Sequence, residues 1–238
     1  MTEKKIALVT GANKGIGKEI ARQLGEAGYQ VLVGSRDATR GRQAAEELEN
    51  ATAIQLEVTD PKSVQDAADT IAEEYGRLDV LVNNAAIIPD GDSAVSEIEA
   101  AVLRDGFETN VVGLVAVTQA MLPLLRKAER ARVVNLSTSL ASFTLVGDPE
   151  SRMSTRRTLA YNATKAAVNM VTVMLANELR GTGILVNAAD PGNCATDMGG
   201  WDAARTPAQG AAVAVRLATL DADGPTGEVY AEAGRLPW

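Results

Sequence analysis

The segment TGANKGIG, residues 10–17, decides the fold. It follows a short apolar run, IALVT at 6–10, and opens a stretch with helical spacing. Gly11 permits a tight turn, Gly15 lets the backbone approach a ligand, and Gly17 lets strand and helix pack without an intervening Cβ. The N–H groups at the start of the helix would then face an anion. This order predicts a dinucleotide site at the first βα turn of a doubly wound sheet. A tight connection without a ligand is the alternative.

The alternation of short apolar runs and helical stretches continues along the chain. Near-continuous apolarity is typical of parallel strands buried on both faces, and alternation with helices indicates right-handed βαβ units. We therefore predict an α/β protein with a single-domain Rossmann fold over residues 1–238, in which a doubly wound parallel sheet of about seven strands carries helices on both faces. The apolar runs are 6–10, 30–34, 53–58, 79–83, 132–137, 184–189 and 228–231, and the helical stretches are 15–28, 39–50, 61–75, 94–126 (one or two helices), 159–181 and 207–219.

Local signals predict where several helices begin and end. A capping residue followed by Pro is typical of a helix start, and Gly is typical of the position just after a helix. The predicted starts are Asp60-Pro61 and Thr206-Pro207, and the predicted ends are Gly28, Gly76 and Gly181. The stretch 143–158 has no clear period and carries three Arg, so we expect either a solvated surface loop or a flap beside the active site.

Composition excludes several classes of function. The 238 residues suit one compact domain, and a formal net charge of -8 without a basic run gives no footprint for nucleic acid or anionic membranes. The single cysteine, Cys194, cannot form an intrachain disulfide. The apolar stretch near the N-terminus is too short for a signal peptide, and no apolar run approaches the roughly 20 residues that span a bilayer. We expect a cytoplasmic protein with a small-molecule substrate, and we predict no metal site.

Further motifs stand at suitable separations after the glycine-rich segment, and together they resemble the short-chain dehydrogenase/reductase family. Single-domain members of that family carry TGxxxGIG at the first turn, and the resemblance covers nearly the whole chain. The Asn-Lys of TGANKGIG and the ending GPTGEVYAEAGRLPW further resemble the NADPH-dependent carbonyl reductase branch. The matching motifs are NNAA at 83–86, ETNVVG around Asn110, VVNLSTS at 133–139, YNATK at 161–165 and DPGNCATDM at 190–198.

The end of the second predicted strand indicates which dinucleotide binds. An acid there favours the free 2′-hydroxyl of NAD, and a cation favours a 2′-phosphate. The strand ends in Ser35-Arg36-Asp37, so Arg36 could clamp a phosphate, and Lys14 could add a second charge. We predict NADPH/NADP+, although Asp37 would favour NAD if it turned inward.

The resemblance implies the rest of the cofactor site. Glu57 and Val58 would border the adenine, although the family more often has Asp at 57. Asn83 and Ala85 would line the cofactor beyond the fourth strand. The full predicted set is Gly11, Asn13, Lys14, Gly15, Ile16, Gly17, Arg36, Glu57, Val58, Asn83, Ala85, Tyr161 and Lys165, with Pro191, Gly192, Cys194 and Thr196 at the nicotinamide end.

The chain contains no His, so another group must move protons. Tyr161 and Lys165 are four residues apart in a helical stretch, which places both side chains on one helix face. A Tyr titrates near pH 10, and a neighbouring cation favours the phenolate. We therefore expect Lys165 to lower the pKa of Tyr161 and to make it a general acid and base. The resemblance implies that Asn110 kinks its helix and holds a water linking Lys165 to solvent; a capping or turn role is the alternative.

The hydroxyl that completes the family's catalytic set departs from the usual N-x-S-S pattern. Here Asn135-Leu136-Ser137 is followed by Thr138 and Ser139. Ungapped matching and strand alternation favour Thr138, and Ser139 would require one extra residue or a bulge. Both residues remain candidates.

The sequence thus predicts an NADPH-dependent reductase of ketones or aldehydes, in which Lys165 also holds the nicotinamide ribose. An NAD-dependent alcohol dehydrogenase and a catalytically weak dinucleotide-binding regulator are the alternatives. We expect substrate contacts in 87–96, in 139–159 and from Gly192 to about Trp201. Many family members form tetramers through the helix bearing the Tyr, while longer insertions before it block that contact, so monomer and homo-oligomer both stay open. The apolar candidates for the pocket are Ile87, Ile88, Phe143, Met198 and Trp201.

Overall fold

The computed structural model describes residues 4–238, which fold around one eight-stranded sheet of order β3-β2-β1-β4-β5-β6-β7-β8. Seven strands pair in parallel, and β8 pairs antiparallel with β7. The predicted α/β fold with a doubly wound sheet is confirmed. The strands are β1 (Ile6–Val9), β2 (Gln30–Ser35), β3 (Ala51–Gln55), β4 (Val80–Asn83), β5 (Arg132–Leu136), β6 (Leu185–Ala189), β7 (Val229–Ala231) and β8 (Gly234–Arg235).

Residues 4–238 contain eight α-helices, of which six contribute side chains to the cores on the two faces of the sheet. Between the fourth and fifth lies a π-helical turn, Glu108–Gly113, and a 3₁₀ turn, Ser139–Ala141, follows β5. The helices are α1 (Gly15–Glu26), α2 (Ala38–Glu46), α3 (Pro61–Glu74), α4 (Ala100–Phe107), α5 (Leu114–Leu125), α6 (Phe143–Gly147), α7 (Leu159–Glu178) and α8 (Pro207–Ala218).

Each face of the sheet has its own hydrophobic core because successive strand residues point to opposite sides. In β1, Leu8 joins the core under α3, α5 and α7, whereas Val9 joins the core under α1, α2 and α8. Both side chains are fully buried. Strands buried in this way on both faces explain the continuous apolar runs of the sequence.

The helix starts and ends predicted from capping residues and glycines are confirmed, whereas the stretches predicted as helical at 39–50 and 94–126 end at Glu46 and begin at Ala100 in the structure. The Asp60 carboxylate accepts a hydrogen bond from Lys62 N and Pro61 begins α3, while Thr206 forms a capping box with Gln209 at the start of α8. The three glycines predicted to follow helices have positive φ angles; they are Gly28, Gly76 and Gly181.

Two predictions about strands differ from the structure. The prediction of about seven strands lacks β8, whose two residues are too short to show a pattern. The third strand was expected at 53–58 but spans Ala51–Gln55; Leu56 and Val58 still pack in a core, so their apolarity reports burial outside the ladder.

The segment Ala100–Leu125 is long and apolar enough, by length and composition alone, to cross a membrane. Its α5 part packs against α3 and β4, and Val117 and Met121 are fully buried in the core between them. Core packing therefore accounts for its apolarity.

The sheet topology creates the crevice in which ligands of such folds bind. Strand β1 lies between β2 and β4, so the chain reverses its direction of travel across the sheet at the β1–β4 pair. Loops that leave the carboxyl ends of these two strands diverge to opposite faces and leave an opening. The glycine-rich turn follows β1, and the NNAA motif follows β4.

Candidate active site

The glycine-rich turn packs tightly against the segment after β4. A Cβ added to Gly17 would lie 2.4 Å from Asn84 Nδ2 and 2.7 Å from Gly11 O. Asn84 Nδ2 donates to Thr10 O (2.8 Å) and Gly11 O (3.1 Å), so its side chain braces the turn. Asn84 was not predicted as a site residue, although it is the second Asn of the NNAA motif.

The start of α1 offers free donors to a phosphate. Its N-cap residue, Lys14, makes no side-chain capping bond, and the first turn contains no acidic side chain. Gly11 and Gly15 have φ angles of 63° and 58°, the left-handed conformation that such a turn requires. Unfilled N–H groups with the helix dipole behind them suit an anion. The turn therefore fits a dinucleotide pyrophosphate.

At the end of β2, the structure fixes the residue that would favour NAD. Asp37 Oδ1 accepts hydrogen bonds from Thr39 N (2.9 Å) and Arg40 N (3.0 Å), and so caps α2. The bond from Arg40 N is the main reason that the pKa of Asp37 lies below its ordinary value. Arg36 is exposed beside it. The Asp37 carboxylate is thus occupied by the backbone of α2, and the exposed Arg36 at the end of β2 is available to bind a phosphate.

The glycine-rich turn also touches the loop after β6. Thr196 Cγ2 would lie 3.5 Å from a Cβ on Gly15, which brings two predicted cofactor residues together. The Lys14 ammonium pairs with the Asp197 carboxylate at 2.5 Å, and both side chains are more than half exposed. An exposed pair of this kind contributes about 0–1 kcal/mol, so a phosphate could displace the carboxylate at little cost.

Several predicted cofactor residues direct their side chains elsewhere. Asn83 is buried and donates to Thr118 Oγ1 (3.0 Å) and Asn135 Oδ1 (2.9 Å), so its side chain lies beneath α5. The Cys194 thiol is also buried, with Sγ 3.4 Å from Pro191 O, and burial raises its pKa. Any contact of Asn83 or Cys194 with a cofactor would therefore run through the backbone.

Glu57 and Val58 are also engaged within the protein. Glu57 Oε1 accepts hydrogen bonds from Thr59 N (3.3 Å) and Thr59 Oγ1 (3.0 Å). Val58 packs against Gly113 of the π-helical turn, where an added Cβ would lie 2.9 Å from Val58 Cγ2. Ala85, in contrast, lies directly against the turn, because a Cβ on Gly11 would be 3.1 Å from its Cα.

Tyr161 and Lys165 lie on one face of α7, as the spacing predicted. The Lys165 side chain is buried, and its Nζ donates to Leu136 O, at the end of β5, over 2.6 Å. The same Nζ is 5.8 Å from the centre of the Tyr161 ring. The helix therefore places an ammonium group beside the phenol and next to the segment that carries Thr138.

Two buried side-chain hydrogen bonds hold α7 in register with β5. Asn135 Nδ2 donates to Thr172 Oγ1 (2.9 Å), and Ser137 Oγ donates to Asn169 Oδ1 (2.6 Å). All four residues are at most 4% exposed, so water does not compete for these bonds. These bonds fix the position of α7, and with it that of Lys165, along the direction of β5.

The titration of the pair differs from the expectation. Burial, followed by the charge of Asp190, raises the pKa of Tyr161 to about 12, and burial lowers the pKa of Lys165 to about 8. Desolvation disfavours each charged form. The pKa of Tyr161 therefore lies above its ordinary value, opposite to the expected direction, because desolvation of the phenol outweighs the effect of the Lys165 ammonium, which is bonded to a carbonyl oxygen.

Asn110 sits in the π-helical turn, where the resemblance implied a kink. Its Oδ1 accepts from Ile87 N (2.8 Å), and its Nδ2 donates to Ile87 O (2.9 Å) and Thr164 Oγ1 (3.0 Å). The residue is 1% exposed. Asn110 therefore joins the segment after β4 to α7, which it contacts at Thr164, the residue before Lys165.

Both candidate hydroxyls follow the end of β5 and are half-buried. Thr138 Oγ1 accepts a bond from Leu140 N (3.3 Å), which leaves its hydroxyl hydrogen available to donate. Ser139 Oγ contacts Met153 Sδ at 3.6 Å, so the stretch 143–158 packs against it. Both therefore stay candidates, with Thr138 the less engaged donor.

A buried carboxylate that the sequence analysis missed joins two parts of the site. Asp190 accepts from Ser139 N through Oδ2 (3.0 Å) and from Gly192 N through Oδ1 (2.8 Å). It is 5% exposed, and burial raises its pKa. Asp190 thus fixes the hydroxyl segment to the loop predicted to hold the nicotinamide.

Exposed apolar side chains lie in the segments predicted to face the substrate; one of them, Phe143, begins helix α6. Phe143 and Trp201 are 80% and 75% exposed. Val95, which was not among the predicted pocket residues, is 75% exposed. Met198 and Ile88 are less exposed, and Ile87 is partly buried. Within residues 4–238, no group of three acidic or thiol side chains is placed to hold a metal ion.

The fold, together with the glycine-rich turn and the Tyr161–Lys165 pair, is typical of a dinucleotide-dependent oxidoreductase. Residues 5–205 match the model of the family described as short chain dehydrogenase. The chain belongs to that family. A short-chain dehydrogenase of Penicillium roqueforti is 35% identical over 91% of this chain and 89% of its own length. Carbonyl reductase [NADPH] 1 of Mus musculus is 33% identical over 100% of this chain and 99% of its own. The structure of a short chain dehydrogenase from Shigella flexneri 2a complexed with NADP matches with a TM-score of 0.83 and 28% identity, over 95% of this chain and 96% of that one.

Proposed function

We propose that this protein reduces a ketone or aldehyde to an alcohol with NADPH, and that Tyr161 is the general acid. One observation carries the proposal. The Lys165 ammonium is held at the end of β5 by Leu136 O and lies 5.8 Å from the Tyr161 ring. The candidate hydroxyls of Thr138 and Ser139 follow that same strand end.

Three observations support NADPH as the cofactor. Arg36 is exposed at the end of β2, while Asp37, the residue that would favour NAD, caps α2. The name of the Mus musculus relative includes NADPH, and the Shigella flexneri structure contains NADP. The N–H groups at the start of α1 would hold the pyrophosphate, Arg36 the 2′-phosphate and Lys165 the ribose. When bound, the dihydronicotinamide supplies the hydride that reduces the carbonyl carbon.

The residues of the chain supply the proton and stabilise the charge. With a pKa of about 12, Tyr161 is fully protonated at neutral pH, ready to donate. An alkoxide is more basic than a phenolate, so transfer from the Tyr161 hydroxyl to the developing alkoxide oxygen is downhill. A hydroxyl from Thr138 or Ser139 would donate a hydrogen bond to the same oxygen. The Lys165 ammonium then stabilises the phenolate that remains until solvent returns the proton.

The proposed substrate has an apolar part beside its carbonyl group. Phe143, which begins α6 after β5, and Met198 and Trp201, which lie after β6, are exposed apolar side chains in segments that follow the carboxyl ends of strands. Such side chains are typical of ligand-binding grooves. The substrate would bury them against its own apolar surface.

The experiment is a screen of aliphatic, aromatic and cyclic carbonyls with NADPH and with NADH, followed by the absorbance of the reduced nicotinamide. We expect carbonyl-dependent oxidation of NADPH, faster for apolar substrates. Faster oxidation with NADH would favour an NAD-dependent dehydrogenase. Tight NADPH binding without oxidation on any substrate would favour a regulator that has lost turnover.

A further inference from the structure

The helix that carries Tyr161 is not capped by its own N-cap residue. Thr158 makes no side-chain capping bond and instead donates from Oγ1 to Asn162 Oδ1 (3.0 Å). Helices α3 and α8 differ, since Asp60 and Thr206 cap them from the adjacent position. The first N–H groups of α7 must therefore find acceptors elsewhere.

Those acceptors come from the segment after β4. Asp92 Oδ1 accepts from Ala160 N (2.8 Å), and Asp92 Oδ2 accepts from Tyr161 N (2.9 Å). Ser93 O accepts from Leu159 N (3.1 Å). Three consecutive backbone donors of α7, ending with that of Tyr161, are thus bound by two residues nearly seventy positions earlier in the chain.

The same segment is anchored at its other end. Asn110 binds both backbone polar groups of Ile87 and also contacts Thr164 Oγ1 in α7. The stretch 87–93 is therefore attached to α7 at two places: Asp92 binds the backbone of Tyr161, and Ile87 is linked through Asn110 to Thr164. It also leads into Val95, whose side chain is exposed.

We propose that Asp92 is a positioning residue for Tyr161: its two carboxylate oxygens fix the first turn of α7 and thereby the place of the phenol hydroxyl. The proposal rests on the proposed function of Tyr161. A carboxylate at a helix N-terminus gains from the helix dipole, and its hydrogen bonds to N–H groups are charge-assisted. A displacement of about 1 Å at a catalytic group can cost on the order of 100-fold in rate, so a fixed first turn matters for proton transfer.

The test compares Asp92→Ala and Asp92→Asn with a control, Asp60→Ala, which removes a carboxylate cap from α3, a helix without catalytic residues. We expect kcat to fall by about 10- to 100-fold in Asp92→Ala and by less in Asp92→Asn, which keeps one acceptor. The Kd of NADPH should stay within about twofold, because the glycine-rich turn is untouched. Asp60→Ala should lower Tm without lowering kcat. A purely structural role for Asp92 would instead move Tm and leave kcat near the wild-type value, and that result would overturn the proposal.

A second measurement does not depend on turnover. Amide hydrogen exchange over residues 159–163 should speed up in Asp92→Ala and stay unchanged in Asp60→Ala. If the wild-type protein reduces no carbonyl, the proposed function fails, while exchange still reports whether the contact exists. Unchanged exchange in Asp92→Ala would also refute the positioning role.

Discussion

Replacing Gly17 with alanine tests whether the packed glycine-rich turn is the cofactor site. The new methyl group would lie 2.4 Å from Asn84 Nδ2, which is already bonded to two carbonyl oxygens. Asn84 must move and lose one or both bonds, at about 1 kcal/mol each, within the roughly 1–3 kcal/mol typical of overpacking. For a chain of this length, a loss of about 2 kcal/mol lowers Tm by roughly 4–8 °C.

The displaced turn should also bind NADPH less tightly. Loss of one charge-assisted contact with a phosphate, about 1.5–3 kcal/mol, corresponds to about a 10- to 100-fold increase in Kd. Thermal unfolding and titration of NADPH fluorescence measure the two effects. Gly147→Ala is the matched control because no atom lies within 4 Å of the added Cβ and φ is not positive there. An unchanged Kd in Gly17→Ala, with the expected loss of Tm, would refute the assignment of the phosphate site.

The other predictions concern the remaining parts of the site. Arg36→Ala should raise the KM for NADPH by about 10- to 100-fold and leave the KM for NADH unchanged, because only the 2′-phosphate loses a partner. Steady-state kinetics with both cofactors measure this effect. A preserved preference for NADPH would contradict the assignment of Arg36. Because burial lowers the pKa of Lys165 to about 8 while that of Tyr161 is about 12, kcat/KM for reduction should decline above about pH 8 as the ammonium is lost. Lys165→Arg should shift that decline to higher pH, and a decline at the same pH in the variant would assign it to another group. Thr138→Ala should lower kcat by about 100-fold if Thr138 donates to the substrate oxygen, and Ser139→Ala should then retain most turnover; the reverse outcome assigns the role to Ser139.

The sequence predicted the fold well where one element could be recognised from its own residues. The run IALVT, the capping pair Asp60-Pro61 and Gly28 each carry local signals, and the structure confirms them. Strand β8 has two residues and exists only through pairing with β7, so no local pattern could reveal it.

The site was predictable where spacing decides geometry, as for Tyr161 and Lys165 on one helix face. Residues whose role depends on distant partners were missed. Asp92 accepts hydrogen bonds from the backbone of α7, and Asp190 joins two loops. The sequence around each Asp does not indicate which distant N–H groups its carboxylate will bind. The direction of the shift in the Tyr161 pKa was predicted wrongly for the same reason, because it depends on how far the fold desolvates the phenol rather than on the four-residue spacing.

The most direct test of the account is turnover in Tyr161→Phe, which removes one oxygen atom and keeps the ring. If the Tyr161 hydroxyl gives its proton to the substrate, kcat for carbonyl reduction should fall by about 100- to 10,000-fold while the Kd of NADPH stays within about twofold. A variant that binds NADPH and reduces the carbonyl at a rate close to that of the wild-type protein would contradict the account.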